Sequence, residues 1–87
     1  MAEPASGVIN VKIYAPFKVY FEGEAKSVSA VNATGLFDIL PGHKNFITLI
    51  KPCTVRVRQT GKDDYTLQVE RGVMHVKTNQ VVLFLDV

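Results

Sequence analysis

The chain has 87 residues, a formal net charge of +2 and one cysteine. That length makes a single domain, the small charge gives no reason to expect a polyanion ligand, and a lone Cys53 excludes an internal disulfide or a cysteine-held metal cluster and fits a reducing compartment. Surface scaling leaves about 5,000 Å² exposed of about 14,000 Å² in the unfolded chain, room for one modest core, yet 47% of the residues are apolar, so some apolar surface should face a partner.

Residues 1–7 read as a flexible N-terminal segment and 8–87 as the domain. Met1-Ala-Glu-Pro-Ala-Ser-Gly7 lacks the basic and apolar regions of a signal peptide. No apolar run is long enough to cross a bilayer, so direct membrane insertion is not expected. Apolar positions recur at spacing two, the period of strands. Val8 to Tyr14 reads as a first strand, interrupted at Pro16, which cannot donate to a sheet ladder. Phe17 to Val31 is a long extended stretch with Gly23 near its middle, a candidate bulge that would let one strand serve two sheets. Asn32 to Gly35 is a turn. Phe37 to Leu40 is a short strand stopped by Pro41-Gly42, and Phe46 to Ile50 another, stopped by Pro52.

The second half alternates more regularly. Val55, Val57 and Gln59 interleave with Arg56, Arg58 and Thr60. Gly61 to Asp64 is a hairpin turn. Tyr65, Leu67 and Val69 interleave with Thr66, Gln68 and Glu70. Arg71-Gly72 marks a break, then Met74 and Val76 interleave with His75 and Lys77. Asn79 suits a left-handed turn. The last strand, Val81 to Val87, is apolar on both faces and needs either a second layer or a partner protein. Eight or more short strands with closely spaced turns predict an all-β sandwich or flattened barrel.

Three segments carry a resemblance. They are Val19-Tyr-Phe-Glu-Gly23-Glu-Ala-Lys-Ser-Val28-Ser-Ala30, then Gly35-Leu-Phe-Asp-Ile-Leu-Pro-Gly-His43-Lys-Asn-Phe-Ile-Thr48 followed by Lys51-Pro52, then Val69-Glu-Arg-Gly72-Val-Met-His-Val76-Lys-Thr-Asn79-Gln-Val81-Val-Leu83. In order and spacing they resemble the N-terminal domain of the epsilon subunit of F-type ATP synthases, and the Pro-Gly-His run is the specific part. The resemblance implies a flattened sandwich of about ten short strands, here without the family's C-terminal helical hairpin. It implies a rotor component in the central stalk that joins the gamma subunit to the polar loops of the membrane c-ring, couples proton flow to ATP synthesis, and does no covalent chemistry. It places the chain peripherally, on the cytoplasmic face of a bacterial inner membrane or the thylakoid or organelle equivalent. By position, Ala15, His43 and Thr48 match gamma-facing places, and Thr34, Leu36 and Asp38 match the ring-facing loop. Leu36 stands where some members carry an acid, and Asp38 where glycine is common.

The residues themselves offer no catalytic set. His43 follows a tight corner with no nucleophile or orienting group near it in sequence. Cys53 reads as a small buried residue, and Asp63-Asp64 as a solvated turn with too few ligands for calcium. Arg56 and Arg58 share a face that His75 and Lys77 are expected to join, but no aromatics are interleaved for base stacking, so no nucleic acid is expected. No phosphate-cradling glycine loop is present, so no nucleotide or other cofactor is expected. The alternatives are a small nucleic-acid-binding barrel of the OB type, suggested by size, strand pattern and a pI near 8.8, and a free-standing β-sandwich that binds other partners.

Overall fold

The computed structural model describes residues 7–85. These form nine strands and no helix: β1 (Ile9–Ala15), β2 (Lys18–Ala25), β3 (Ser27–Asn32), β4 (Gly35–Ile39), β5 (Phe46–Ile50), β6 (Cys53–Arg58), β7 (Tyr65–Val69), β8 (Gly72–Lys77) and β9 (Gln80–Leu85). Five strands in the order β2-β1-β9-β8-β5 make one sheet, and four in the order β4-β3-β6-β7 make the other. Every ladder is antiparallel except that between β1 and β9, which is parallel.

The period-two patterning decides which face is inside. Ile9, Val11, Ile13 and Ala15 of β1 all point inward, as do Met74 and Val76 of β8 and Val81, Leu83 and Leu85 of β9. Val28, Ala30, Ile39, Val55, Val57 and Val69 meet them from the smaller sheet. Aromatic pairs join the terminal strands of the two sheets at both open edges. Phe21 of β2 lies 5.1 Å from Tyr65 of β7, and Phe37 of β4 lies 6.0 Å edge-on to Phe46 of β5, centroid to centroid. Burial pushes the Tyr65 phenol above its ordinary value of 10.0, and the neighbouring Tyr20 adds to that.

The long extended stretch does serve two sheets, but the break falls at Lys26, whose N–H donates to the Arg58 carbonyl at 2.6 Å, and not at Gly23. Gly23 pairs regularly with Val11, and the bulge lies further back, where Ile13 pairs with Phe21 but Tyr14 pairs with Val19. Gly72 opens a strand instead of breaking one: a Cβ there would sit 2.6 Å from the Phe84 carbonyl oxygen, so only glycine lets β8 lie this close to β9. Thr78 and Asn79 both have positive φ, 46° and 60°, and form the two-residue hairpin turn that matches strand twist. Arg56 and Arg58 lie on the smaller sheet, whereas His75 and Lys77 lie on the larger, so these four side chains do not share a face. The expected strand end at 86–87 and the segment 1–6 lie outside the described residues.

Candidate partner-binding surface

Register across the five-stranded sheet lines its outward side chains into rows. Leu49 pairs with Val73, Val73 with Phe84, Phe84 with Tyr14, and Tyr14 with Val19. This row crosses all five strands without a charged residue. Leu49 is 70% exposed and Val19 51%, and Tyr14 and Phe84 touch edge-on at 5.1 Å. The next row reads Ile47, His75, Val82, Lys12, Glu22, and the third reads Lys77, Gln80, Asn10, Glu24. The face therefore grades from apolar to polar along the strands. Phe17, fully exposed in the turn between β1 and β2, lies at the apolar end. A shallow groove there is lined by Leu49, Val73 and Phe84 together with Lys51, Pro52, Glu70 and Arg71.

Exposed aliphatic and aromatic side chains aligned across a sheet form the kind of apolar patch that marks a contact with another protein, a membrane or a ligand. The outer face of the four-stranded sheet is different. Thr54 donates to Gln68 at 2.7 Å, and Arg56 and Asp64 pair at 3.1 Å. Arg58 donates to the Ser27 and Ser29 hydroxyls at 3.2 and 3.0 Å, and Ser29 donates to Asp38. That face carries its own network of polar contacts, with Leu36 exposed at its β4 edge.

The sequence-predicted site residues fall in three places. Ala15 is buried at the end of β1, and Thr48 points into the gap between the sheets, where its hydroxyl accepts from Asn32 Nδ2 at 3.0 Å. His43 is half-buried in the β4–β5 corner, with Nδ1 2.7 Å from the Lys44 carbonyl oxygen and its ring 5.0 Å from Phe46. Thr34 and Leu36 stand exposed at the tip of the β3–β4 hairpin, Leu36 at 76%, while Asp38 lies two residues further along the same face of β4, bonded to Ser29. Ala15, His43 and Thr48 are not neighbours on one surface, whereas Thr34, Leu36 and Asp38 share one strand and its turn. Sequence reading missed the row through Tyr14, Val19, Leu49, Val73 and Phe84. Among the described residues no group of three or more His, Cys, Asp or Glu is placed to hold a metal.

The domain formed by residues 8–87 matches the β-sandwich domain of the ATP synthase delta/epsilon chain. The chain belongs to this family. It is similar to the ATP synthase epsilon chain of Chlorobium limicola, 34% identical over 74 residues, which covers 85% of this chain and 84% of that one. It is also similar to the epsilon chain of Desulforamulus reducens, 39% identical over 74 residues, covering 85% of this chain but 55% of that one. It thus spans most of some epsilon chains and about half of others. Among solved structures, a chain of the Euglena gracilis mitochondrial ATP synthase OSCP/F1/c-ring assembly shares the fold with a TM-score of 0.85 at 15% identity, over 97% of this chain and 53% of that one. A chain of the Tetrahymena thermophila mitochondrial ATP synthase central stalk and c-ring shares it at 0.71 and 18%, over 87% and 61%. Epsilon chains are non-catalytic subunits, and the domain has that standing by family.

Two epsilon-family motifs that lie far apart in the sequence meet in space. Gly42, at φ +85°, donates its N–H to Asn79 Oδ1 at 2.7 Å, and Asn45 Oδ1 accepts from the Thr78 N–H at 3.1 Å. The Pro-Gly-His corner is thereby latched to the β8–β9 turn. Its glycine and Asn79 are thus structural partners across 37 residues of sequence.

Proposed function

We propose that this domain works in the central stalk of an F-type ATP synthase, as a rotor element that binds the gamma subunit through its five-stranded sheet and presents the β3–β4 hairpin to the polar loops of the c-ring. In that role it passes torque between proton flow and ATP synthesis and sits peripherally on the membrane that holds the ring, on the cytoplasmic face in bacteria or its organelle equivalent. The observation that carries this reading is the uncharged row Leu49–Val73–Phe84–Tyr14–Val19. A permanent attachment to a rotating shaft needs an apolar contact, and a torque-bearing piece needs a stiff two-sheet body. Both are supplied by the residues described.

The gamma contact centres on this row in the proposal, not on Ala15 and Thr48, whose side chains are turned inward; His43 lies in the β4–β5 corner, outside the row. For the ring, Thr34 and Leu36 at the hairpin tip are the contact residues. The OB-type alternative draws no support from the surface, since the two pairs of basic residues lie on different sheets and Arg56 and Arg58 are engaged by Asp64, Ser27 and Ser29. The decisive experiment is co-purification and calorimetric titration of the domain with the gamma subunit of the same organism. A 1:1 complex at micromolar concentration is expected; a well-folded gamma that leaves the domain unbound would end the proposal.

A further inference from the structure

We infer that Asp38 acts as an internal tether for the ring-facing hairpin, and not as a ring ligand: together with Ser29 and Arg58 it pins edge strand β4 to the body of the domain. The functional meaning of this inference rests on the proposed orientation of the hairpin, but the tether is a property of the domain alone.

The geometry is specific. Ser29 lies directly across from Asp38 on one side and from Arg56 on the other, and Ser27 lies across from Arg58. The Ser29 hydroxyl is nearly buried and has one proton to give. Arginine only donates, so the 3.0 Å bond from Arg58 Nη1 takes a Ser29 lone pair and the proton goes to the Asp38 carboxylate. A positive group and a negative group thus share one oriented hydroxyl, and both bonds are charge-assisted. Arg58 is held in place by its second bond, to Ser27.

β4 is where such a link matters. It is five residues long and is the terminal strand of its sheet, with β3 as its one ladder partner. Short edge strands are the first elements to open locally. The tip of the hairpin has its own brace. Asn32 Oδ1 accepts from the Thr34 N–H and hydroxyl at 3.0 and 2.8 Å, while its amide donates to Thr48 in the opposite sheet. Asn32 fixes the turn, and the Arg58–Ser29–Asp38 relay fixes the strand behind it. A hairpin that must transmit force at its tip is thereby held at two points, and one of the two Asp38 carboxylate oxygens is already engaged by Ser29.

The test uses the 87-residue chain with Asp38→Ala, Ser29→Ala, the double variant and Asp38→Asn, followed by native-state hydrogen exchange of the hairpin amides. Each alanine variant should speed exchange in β4 about tenfold, the scale of one charge-assisted bond, with exchange in β8 and β9 unchanged. The double variant should be no faster than either single one, because both remove the same relay. Asp38→Asn keeps an oxygen that accepts from Ser29 and should stay closer to the parent. Unchanged β4 exchange, or additive single effects, would overturn the tether. In binding to detergent-solubilised c-ring, Ser29→Ala and Asp38→Ala should weaken the contact equally; a loss confined to Asp38→Ala would make it a ring ligand and refute the inference. Failure of the parent chain to bind the ring would count against the rotor reading, and the exchange result would still decide the tether.

Discussion

Leu49→Asp is the sharpest probe of the apolar row. Leu49 is 70% exposed on the terminal strand of the larger sheet, so its removal empties no cavity. The fold should lose no more than about 1 kcal/mol, from the poorer strand propensity of aspartate. The effect on a complex is much larger. Full burial of a leucine is worth about 1.5–3 kcal/mol, and roughly two-thirds of that is still unspent in the free domain, about 1–2 kcal/mol. An unpaired carboxylate pressed against an apolar partner adds several kcal/mol more. The sum, on the order of 3–5 kcal/mol, lowers affinity for gamma by about 10²- to 10³-fold or more. Calorimetric titration with gamma, beside a thermal melt of each variant, measures both quantities. Ile47→Asp, one row back and 65% exposed, should fold and show a smaller loss. Thr66→Asp, on the outer face of the other sheet, should bind as the parent does. If Leu49→Asp folds and binds normally, the row is not the attachment surface. If it unfolds, the strand has been assigned the wrong face.

Other outcomes follow from the same geometry. Gly72→Ala should destabilise by about 1–3 kcal/mol in urea melts, because its methyl group would meet the Phe84 carbonyl oxygen and both flanking leucines of β9. Asn79→Ala should cost about 1–2 kcal/mol, from a lost bond to Gly42 and a left-handed backbone that alanine dislikes, and Asn79→Gly should recover the backbone part alone. The raised Tyr65 value makes the neutral phenol the folded form. Below about pH 10 both states carry the proton and Tyr65 adds no pH dependence. Above it the unfolded chain ionises first and stability falls; Tyr65→Phe should flatten that decline in alkaline melts.

Much of this architecture could be read from residue order. Phe46–Ile50 and Tyr65–Val69 are strands at the bounds that their apolar runs suggest, and the alternation of Val55, Val57, Met74 and Val76 correctly marks them as core. These are local signals, carried by period two and by nearby turn residues. What could not be read is everything set by register between distant strands. Tyr14, Val19, Leu49, Val73 and Phe84 are scattered over the chain and become a row only when five strands are paired. Ile47 and Leu49 sit in a strand with apolar residues on both faces, so alternation identifies two sides without saying which is inside. The relay from Asp38 to Arg58 joins three strands, and neither residue signals the other. The sheet change at Lys26 was misplaced at Gly23 because a glycine is a visible bend signal and a lysine is not.

The parallel ladder between β1 and β9 has a consequence for how the polypeptide reaches its final form. Val11 lies beside Val81 and Ile13 beside Leu83, so the two extremes of the domain are zipped together in the middle of its larger layer. No N-terminal fragment can complete that layer during synthesis, and a cut at either extremity removes a central plank instead of a peripheral one. Such long-range closure makes for slow folding. The larger layer stays incomplete until β9 has left the ribosome, and only then can its oily side exist as a surface for another subunit to find.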